Sequence, residues 1–227
     1  MLYNKNMEGD RMINTVLFDL DGTLSNSFEG ISGGILYALE KLGITAPPRE
    51  TLKSFVGPPL FDEFKRRFAM DDETAREAVR LYREYYPQTG IYLQTPIDGA
   101  EELLKTLRER GITLCLATSK PQEYAEKIIK MFGFEKYFDD IIGATFDGSI
   151  SAKKDVIALA LRKTGTNPEN TLMVGDRFYD VEGAHACNVR CAGVLCGFGS
   201  RGELEKCGAD FIAEKLSDIA DIIAKRN

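Results

Sequence analysis

The chain predicts an α/β fold: a doubly wound parallel sheet with a small all-helical segment inserted near its start. Three observations predict it. Apolar, β-branched runs alternate with stretches of helical spacing from residue 96 onwards, the pattern of strands and helices wound into a parallel sheet covered on both faces. Between residues 44 and 95 that alternation stops, and Pro47-Pro48 and Gly57-Pro58-Pro59 punctuate patterns that read as helices only. The composition, 44% apolar and 28% charged over 227 residues, is that of a folded globular chain and excludes a disordered one.

The elements follow in order. Residues 1–11 read as a loose tail. Residues 13–18, Ile-Asn-Thr-Val-Leu-Phe, are apolar and β-branched, a buried strand that ends at Asp19-Leu20-Asp21-Gly22-Thr23. Phe28, Ile31, Ile35, Leu39 and Leu42 have helical spacing, with Gly43 as the stop. A helix over 72–86 presents Ala75, Val79, Tyr82 and Tyr86 on one face. Asp98-Gly99-Ala100-Glu101 reads as a capping box opening a helix with the stripe Leu103, Leu104, Leu107 and its end at Gly111. Residues 112–117 form the second strand; Pro121 fits a first helical position before Ala125, Ile128, Ile129 and Phe132, and Gly133 is the stop. Further strands are expected at 140–144, 171–174, 189–194 and near Phe211, and helices at 153–164, 179–187 and 216–225. The expected organisation is a Rossmann-like core from residues 12–26 and 96–227 with an inserted helical segment at 27–95. Because the insert starts just after Asp21, it is expected over the carboxyl ends of the strands, where such sheets bind ligands.

Several function classes are excluded. A net charge of −6 argues against a nucleic-acid binder. No apolar run approaches the ~18 residues of a membrane span, and the opening MLYNKNMEGDRM lacks the apolar core of a signal peptide. Five cysteines without a CxxC pair and a single histidine, His185, leave no basis for a zinc site and fit reduced thiols in a cytoplasmic protein.

Four features fall at strand ends: Asp19 with Asp21, Thr118-Ser119, Lys153-Lys154, and Gly175-Asp176-Arg177-Phe178-Tyr179-Asp180. In a parallel sheet those ends share one edge, so carboxylates, a hydroxyl and an ammonium converge. Crowded carboxylates repel, and an oxygen-only set without histidine suits Mg²⁺. Cation, ammonium and N–H groups together would let a carboxylate approach a phosphate dianion. One carboxylate could then attack phosphorus while a second donates to the leaving oxygen. Gly22 would leave room for the phosphate, and Gly22 and Thr23 would offer N–H groups to it.

These motifs resemble those of the haloacid dehalogenase superfamily of phosphohydrolases. They stand in the family's order: DxDGT at Asp19 to Thr23, a Thr-Ser ending an apolar strand at Thr118-Ser119, a lysine, and GDxxxD at Gly175 to Asp180. Phe55-Val56-Gly57-Pro58-Pro59-Leu60, Met173 to Arg177 and Gly197-Phe198-Gly199-Ser200-Arg201 look like the phosphoglycolate-phosphatase-like branch, which carries a helical cap after the first motif. Members of that branch include phosphoglycolate phosphatases, 5′-nucleotidases and pyrophosphatases. The resemblance implies Asp19 as nucleophile and Mg²⁺ ligand, and Asp21 as general acid/base that gives its main-chain carbonyl to the metal. It implies Thr118, Ser119 and the motif lysine on the phosphoryl oxygens, and Asp176 and Asp180 at the metal. Asp155-Val156-Ile157 places that lysine at Lys153, with Lys154 as competitor. One departure is Asn26, where many relatives carry an Asp.

The expected activity is Mg²⁺-dependent hydrolysis of a small phosphorylated metabolite through an aspartyl phosphate, by a monomer or homodimer. A phosphosugar mutase shares every core residue. A non-enzymatic phosphoacceptor would lack Asp21, and a dehalogenase would need neither Asp21 nor Asp176. Simpler readings stand beside these. Asp19 and Asp21 could be turn formers, and Thr118 a helix cap. Arg177 reads as the salt-bridge partner of Asp180, and His185 carries no role. Lys65-Arg66-Arg67 and Arg76, Arg80 and Arg83 read as a solvated face paired with Glu77 and Glu84. The rival for that row is one cation gripping an anionic substrate tail. Lys53 could serve as a Schiff-base lysine only in a phosphonate-cleaving enzyme.

Overall fold

Thr15–Phe18 (β1), buried at every position, is a central strand of the sheet. Its burial throughout, Thr15 included, follows from cover on both faces. In the computed structural model, which describes residues 12–226, the remaining elements run as follows. Ser25–Asn26 (β2), Phe28–Lys41 (α1), Leu60–Phe68 (α2), Asp72–Tyr85 (α3) and Thr95–Pro96 (β3) come first. Ala100–Glu109 (α4), Thr113–Pro121 (β4), Gln122–Met131 (α5), Asp140–Ala144 (β5) and Lys153–Thr164 (α6) come next. Thr171–Gly175 (β6), Phe178–Ala186 (α7), Arg190–Val194 (β7), Arg201–Lys206 (α8), Phe211–Ala213 (β8) and Asp218–Ala224 (α9) complete the chain. The expected tail at 1–11 lies outside the described residues.

The six-stranded sheet has the order β5-β4-β1-β6-β7-β8, and every pairing in it is parallel. From β1 the chain builds outward through β4 and β5, then returns to the other side for β6 to β8, so β1 lies at the reversal of strand order. Phe18 stands opposite Leu116 of β4 and Val174 of β6. The residues just beyond those three, including Asp19, Thr118 and Asp176, therefore gather at one point, the crevice where doubly wound sheets hold ligands.

Between β2 and β3 the described elements are helical. α1 packs on α3, and α2 packs on α3. The chain enters and leaves this stretch through one antiparallel ribbon, Ser25 opposite Pro96 and Asn26 opposite Thr95. That ribbon has no sequence signal, because two-residue strands are too short for alternation to register. α8 was also unforeseen; its six residues start at Ser200, whose side chain accepts the Glu203 N–H. The capping box expected at Asp98–Glu101 does not form. Gly99, at φ 79°, is the N-cap without a side-chain bond, and Glu101 pairs instead with Lys136 and Tyr137. Pro121 closes β4 with ψ 135° rather than opening α5. Among the described residues, no helix is long and apolar enough to cross a membrane.

α1 carries three glycines because its neighbours leave no room for side chains. A Cβ at Gly30 would stand 2.0 Å from the Gly90 carbonyl oxygen, and one at Gly34 2.7 Å from the Tyr82 ring. Close backbone approach offsets the helix-propensity cost of about 1 kcal/mol per glycine. Gly30→Ala is expected to cost about 1–3 kcal/mol through overpacking. Thermal denaturation should show a Tm lowered by about 2–12 °C; an unchanged Tm would show that the α1 contact yields freely.

Candidate active site

The main chain leaves β1 through a tight turn. Asp19 N–H still donates to the Val174 carbonyl at 2.9 Å, extending the sheet pairing. Gly22 then adopts φ 85°, a conformation that favours glycine. A Cβ there would stand 2.3 Å from Asp176 Oδ2, so the space at Gly22 is filled by Asp176 and not left for a phosphate. Gly22 N–H donates to the Ser25 carbonyl at 2.8 Å and Thr23 N–H to the Leu20 carbonyl at 3.2 Å. Both expected phosphate donors are thus spent on the turn. Thr23 instead directs its hydroxyl to Asp176 Oδ1 at 3.4 Å.

Asp19, Asp176 and Asp180 are all buried, and one carboxylate oxygen of each lies within 4.8 Å of the others. One ammonium faces them. Lys153 Nζ is 2.7 Å from Asp19 Oδ1 and 2.9 Å from Asp180 Oδ1, and it donates to the Ala117 carbonyl at 3.2 Å. Those two carboxylate oxygens sit at ion-pair distance but receive no aligned hydrogen bond. Asp176 Oδ2 accepts the Phe198 N–H at 2.7 Å, and Asp180 Oδ2 accepts the Arg177 N–H at 3.0 Å. Lys154, by contrast, is exposed.

Three carboxylates against one ammonium leave an excess of negative charge in a dry place. Burial, then Asp180 and Asp19, push the Asp176 carboxyl well above the usual carboxylate range. Burial pushes Asp180 up to about 6, with Asp19 adding and Lys153 opposing. Burial works against the charged form of Lys153, but Asp180 and Asp19 outweigh it and hold the ammonium above its ordinary range. Oxygen donors alone, two of them without an aligned donor, and uncompensated charge together fit a hard divalent cation. The Asp21 carboxylate stands outside this cluster, so a metal contact from Asp21 could come only through its main chain.

Asp21 is held by a residue that the sequence reading passed over. Lys120, buried, places Nζ 2.9 and 2.7 Å from the two Asp21 oxygens and 4.9 Å from the centre of the Tyr86 ring. Its signal was adjacency: it follows Thr118-Ser119 directly on β4. Thr118 is buried, its Oγ1 accepting the Lys120 N–H at 3.2 Å, and Thr118 and Ser119 line one cavity with Asp19, Asp21, Lys120, Lys153 and Asp180. Arg177 is not the partner of Asp180. Its Nε meets Glu203 Oε1 at 2.8 Å, and a terminal nitrogen donates to the Val56 carbonyl at 2.6 Å, tying the start of α7 to the helical stretch. His185 pairs with Asp210 at 2.9 Å. Arg80 pairs with Glu77 and Glu84, whereas Lys65 and Arg76 meet Asp72, and Arg66 and Arg67 meet Glu63. Lys53 pairs with Glu50.

The cavity encloses about 550 Å³. Residues of the sheet edge form one part of its wall; Phe55, Leu60, Phe61, Val79, Tyr82 and Tyr86 of the helical stretch form another.

The raised carboxyls give a pH signature. The folded Asp180 titrates near 6 against an ordinary 3.8, so between those values the folded chain keeps a proton that the unfolded chain has lost. Its stabilisation is complete below the lower value and disappears as pH rises through the upper one. In chelated protein, the Tm difference between wild type and Asp180→Asn should shift steadily over that window, wild type losing ground as pH rises. Parallel curves would contradict the buried titration.

Comparison with known proteins supplies the family. The model of the haloacid dehalogenase-like hydrolases matches residues 16–194. A 5′-nucleotidase of Pseudomonas aeruginosa is 43% identical over 189 residues, 83% of this chain and 86% of that protein. The tyrosine-protein kinase PtkA of Mycobacterium tuberculosis is 39% identical over 192 residues, 84% of this chain but 65% of the kinase. The crystal structure of a predicted phosphatase from Clostridium acetobutylicum superimposes with a TM-score of 0.91 at 40% identity, covering 94% of this chain and 99% of that one. With its sheet order, its crowded carboxylates and these relatives in agreement, the chain belongs to the haloacid dehalogenase-like hydrolase family.

Proposed function

We propose that this protein is a Mg²⁺-dependent phosphatase of small phosphomonoesters that works through an aspartyl phosphate on Asp19. Membership of the family and the hydrolases among its relatives make it a phosphoric monoester hydrolase; the metal, the residue roles and the substrate class are our reading. The observation that carries it is the division of the acidic residues into two sets. Asp19 shares Lys153 and the Asp176/Asp180 cluster, whereas Asp21, two residues on, is drawn away to Lys120. One carboxylate is thereby set beside a cation site and the other kept for proton transfer.

In the first step an Asp19 oxygen attacks phosphorus in line, the bond from phosphorus to the ester oxygen breaks, and Asp21 gives that oxygen a proton. In the second, Asp21 takes a proton from water as the water oxygen attacks phosphorus, and the bond to Asp19 breaks. Thr118, Ser119 and Lys153 hold the phosphoryl oxygens. Asp19, Asp176, Asp180 and the Asp21 main chain would hold Mg²⁺, which supplies charge neutralisation for the transferring group. Residues 27–95 act as a cap that shields the reacting atoms from water; their side chains in the cavity wall support that reading. Five unpaired thiols fit a reducing cytoplasm.

Phosphate release from a broad panel of metabolites, with Mg²⁺ and with chelator, tests the reading. Asp19→Asn is expected to lower turnover at least about a thousandfold while leaving the fold intact, as checked by circular dichroism. Chelator should abolish wild-type turnover and added Mg²⁺ restore it. Wild-type rates from Asp19→Asn would remove the nucleophile from the scheme.

A further inference from the structure

Resting on that phosphatase reading, we propose that the outer part of the cavity is a ring-binding subsite. Tyr124 stacks on a planar ring of the leaving alcohol, Phe146, nearly perpendicular to Tyr124, meets that ring edge-on, and Arg83 meets polar groups at its rim. The wall between Asp21 and the solvent is a continuous line of aromatic rings. Tyr82 and Tyr86 stack at 5.3 Å, Tyr86 and Tyr124 lie 5.3 Å apart, and Tyr124 meets Phe146 edge-on at 5.2 Å. Two cations sit on the line: Lys120 on its second ring, 4.9 Å from Tyr86, and Arg83 on its outer end, 5.4 Å from Phe146.

The two cations differ in charge balance. Lys120, Lys153 and Arg177, which line the cavity, each sit on a carboxylate. Arg83, also in the wall, has no carboxylate partner among the described residues. Phe146 is 37% exposed. Of the exposed large apolar side chains among the described residues, it is the one that faces the cavity. Tyr124 is half-buried beside it. The half-buried Tyr124 ring, next to a guanidinium without a carboxylate partner, offers stacking and hydrogen bonding together. A cavity of about 550 Å³ falls in the range that holds ring-bearing ligands. A two-carbon acid ester would leave this wall uncovered.

The shared chemistry is a planar ring on the alcohol; nucleosides and aryl alcohols are its two sources. Initial rates of phosphate release by the full chain with Mg²⁺ separate them, using a nucleoside 5′-monophosphate and phenyl phosphate against glycerol 3-phosphate and 2-phosphoglycolate. The ring-bearing esters are expected to exceed the acyclic ones in kcat/KM by about tenfold or more. Tyr124→Ala and Phe146→Ala should each reduce the ring-to-acyclic ratio by about ten- to a hundredfold. Tyr124→Phe, which keeps the ring, should preserve the ratio, and Arg83→Gln should lower it more for the nucleotide than for phenyl phosphate. Preference for the nucleotide identifies a nucleoside, and preference for phenyl phosphate an aryl alcohol; either supports the subsite when the alanine variants lower it, because phenol is in itself the better leaving group. Acyclic esters used as well as ring-bearing ones, or ratios unmoved by both alanine variants, would overturn it with the phosphatase intact. Release of phosphate from none of the four would overturn the phosphatase reading beneath it.

Discussion

The site is organised around an imbalance: three buried carboxylates share a single buried ammonium. Lys153 is within ion-pair reach of Asp19 and Asp180 but leaves Asp176 to a backbone N–H and the Thr23 hydroxyl. Desolvated like charges at this range are expensive, and the cost is tolerable because a divalent cation can take up the remainder. Strand order, turn shape and glycine placement at this edge of the sheet all serve to bring those oxygens together.

The glycines show how tightly. A Cβ at Gly175 would stand 2.1 Å from the Asp180 Cγ, and one at Gly197 2.3 Å from Asp176 Oδ2. Gly22 closes Asp176 in from the β1 turn in the same way. Three separate segments thus give up their side chains to let the carboxylates pack. This also accounts for the Gly-Asp pair at 175–176: the glycine is spatially coupled to the second aspartate of the motif as well as to the first.

Much of this architecture was legible in the residues. Apolar runs marked the strands at 140–144 and 171–174, and helical spacing marked α1, α3, α4 and α5, because burial on one side imposes a period that sequence preserves. The ribbon of β2 and β3 and the six residues of α8 were too short to carry a period. Side-chain partners were the least legible part. Arg177 is three residues from Asp180, yet its guanidinium goes to Glu203 and Val56; spacing along α7 could not reveal a partner supplied by another element. Lys120 escaped for the same reason, since its role depends on Asp21, 99 positions away. The N–H groups of Gly22 and Thr23, expected on a phosphate, are hydrogen-bonded within the turn, a closure that spacing alone does not show.

The tie from Arg177 to the helical stretch ends on a main-chain oxygen. A carbonyl acceptor is present whatever amino acid occupies position 56, so the clasp is blind to side-chain identity there. It therefore holds the segment that supplies Gly57, Pro58 and Pro59 to the cavity wall by a contact that no side chain of that segment provides.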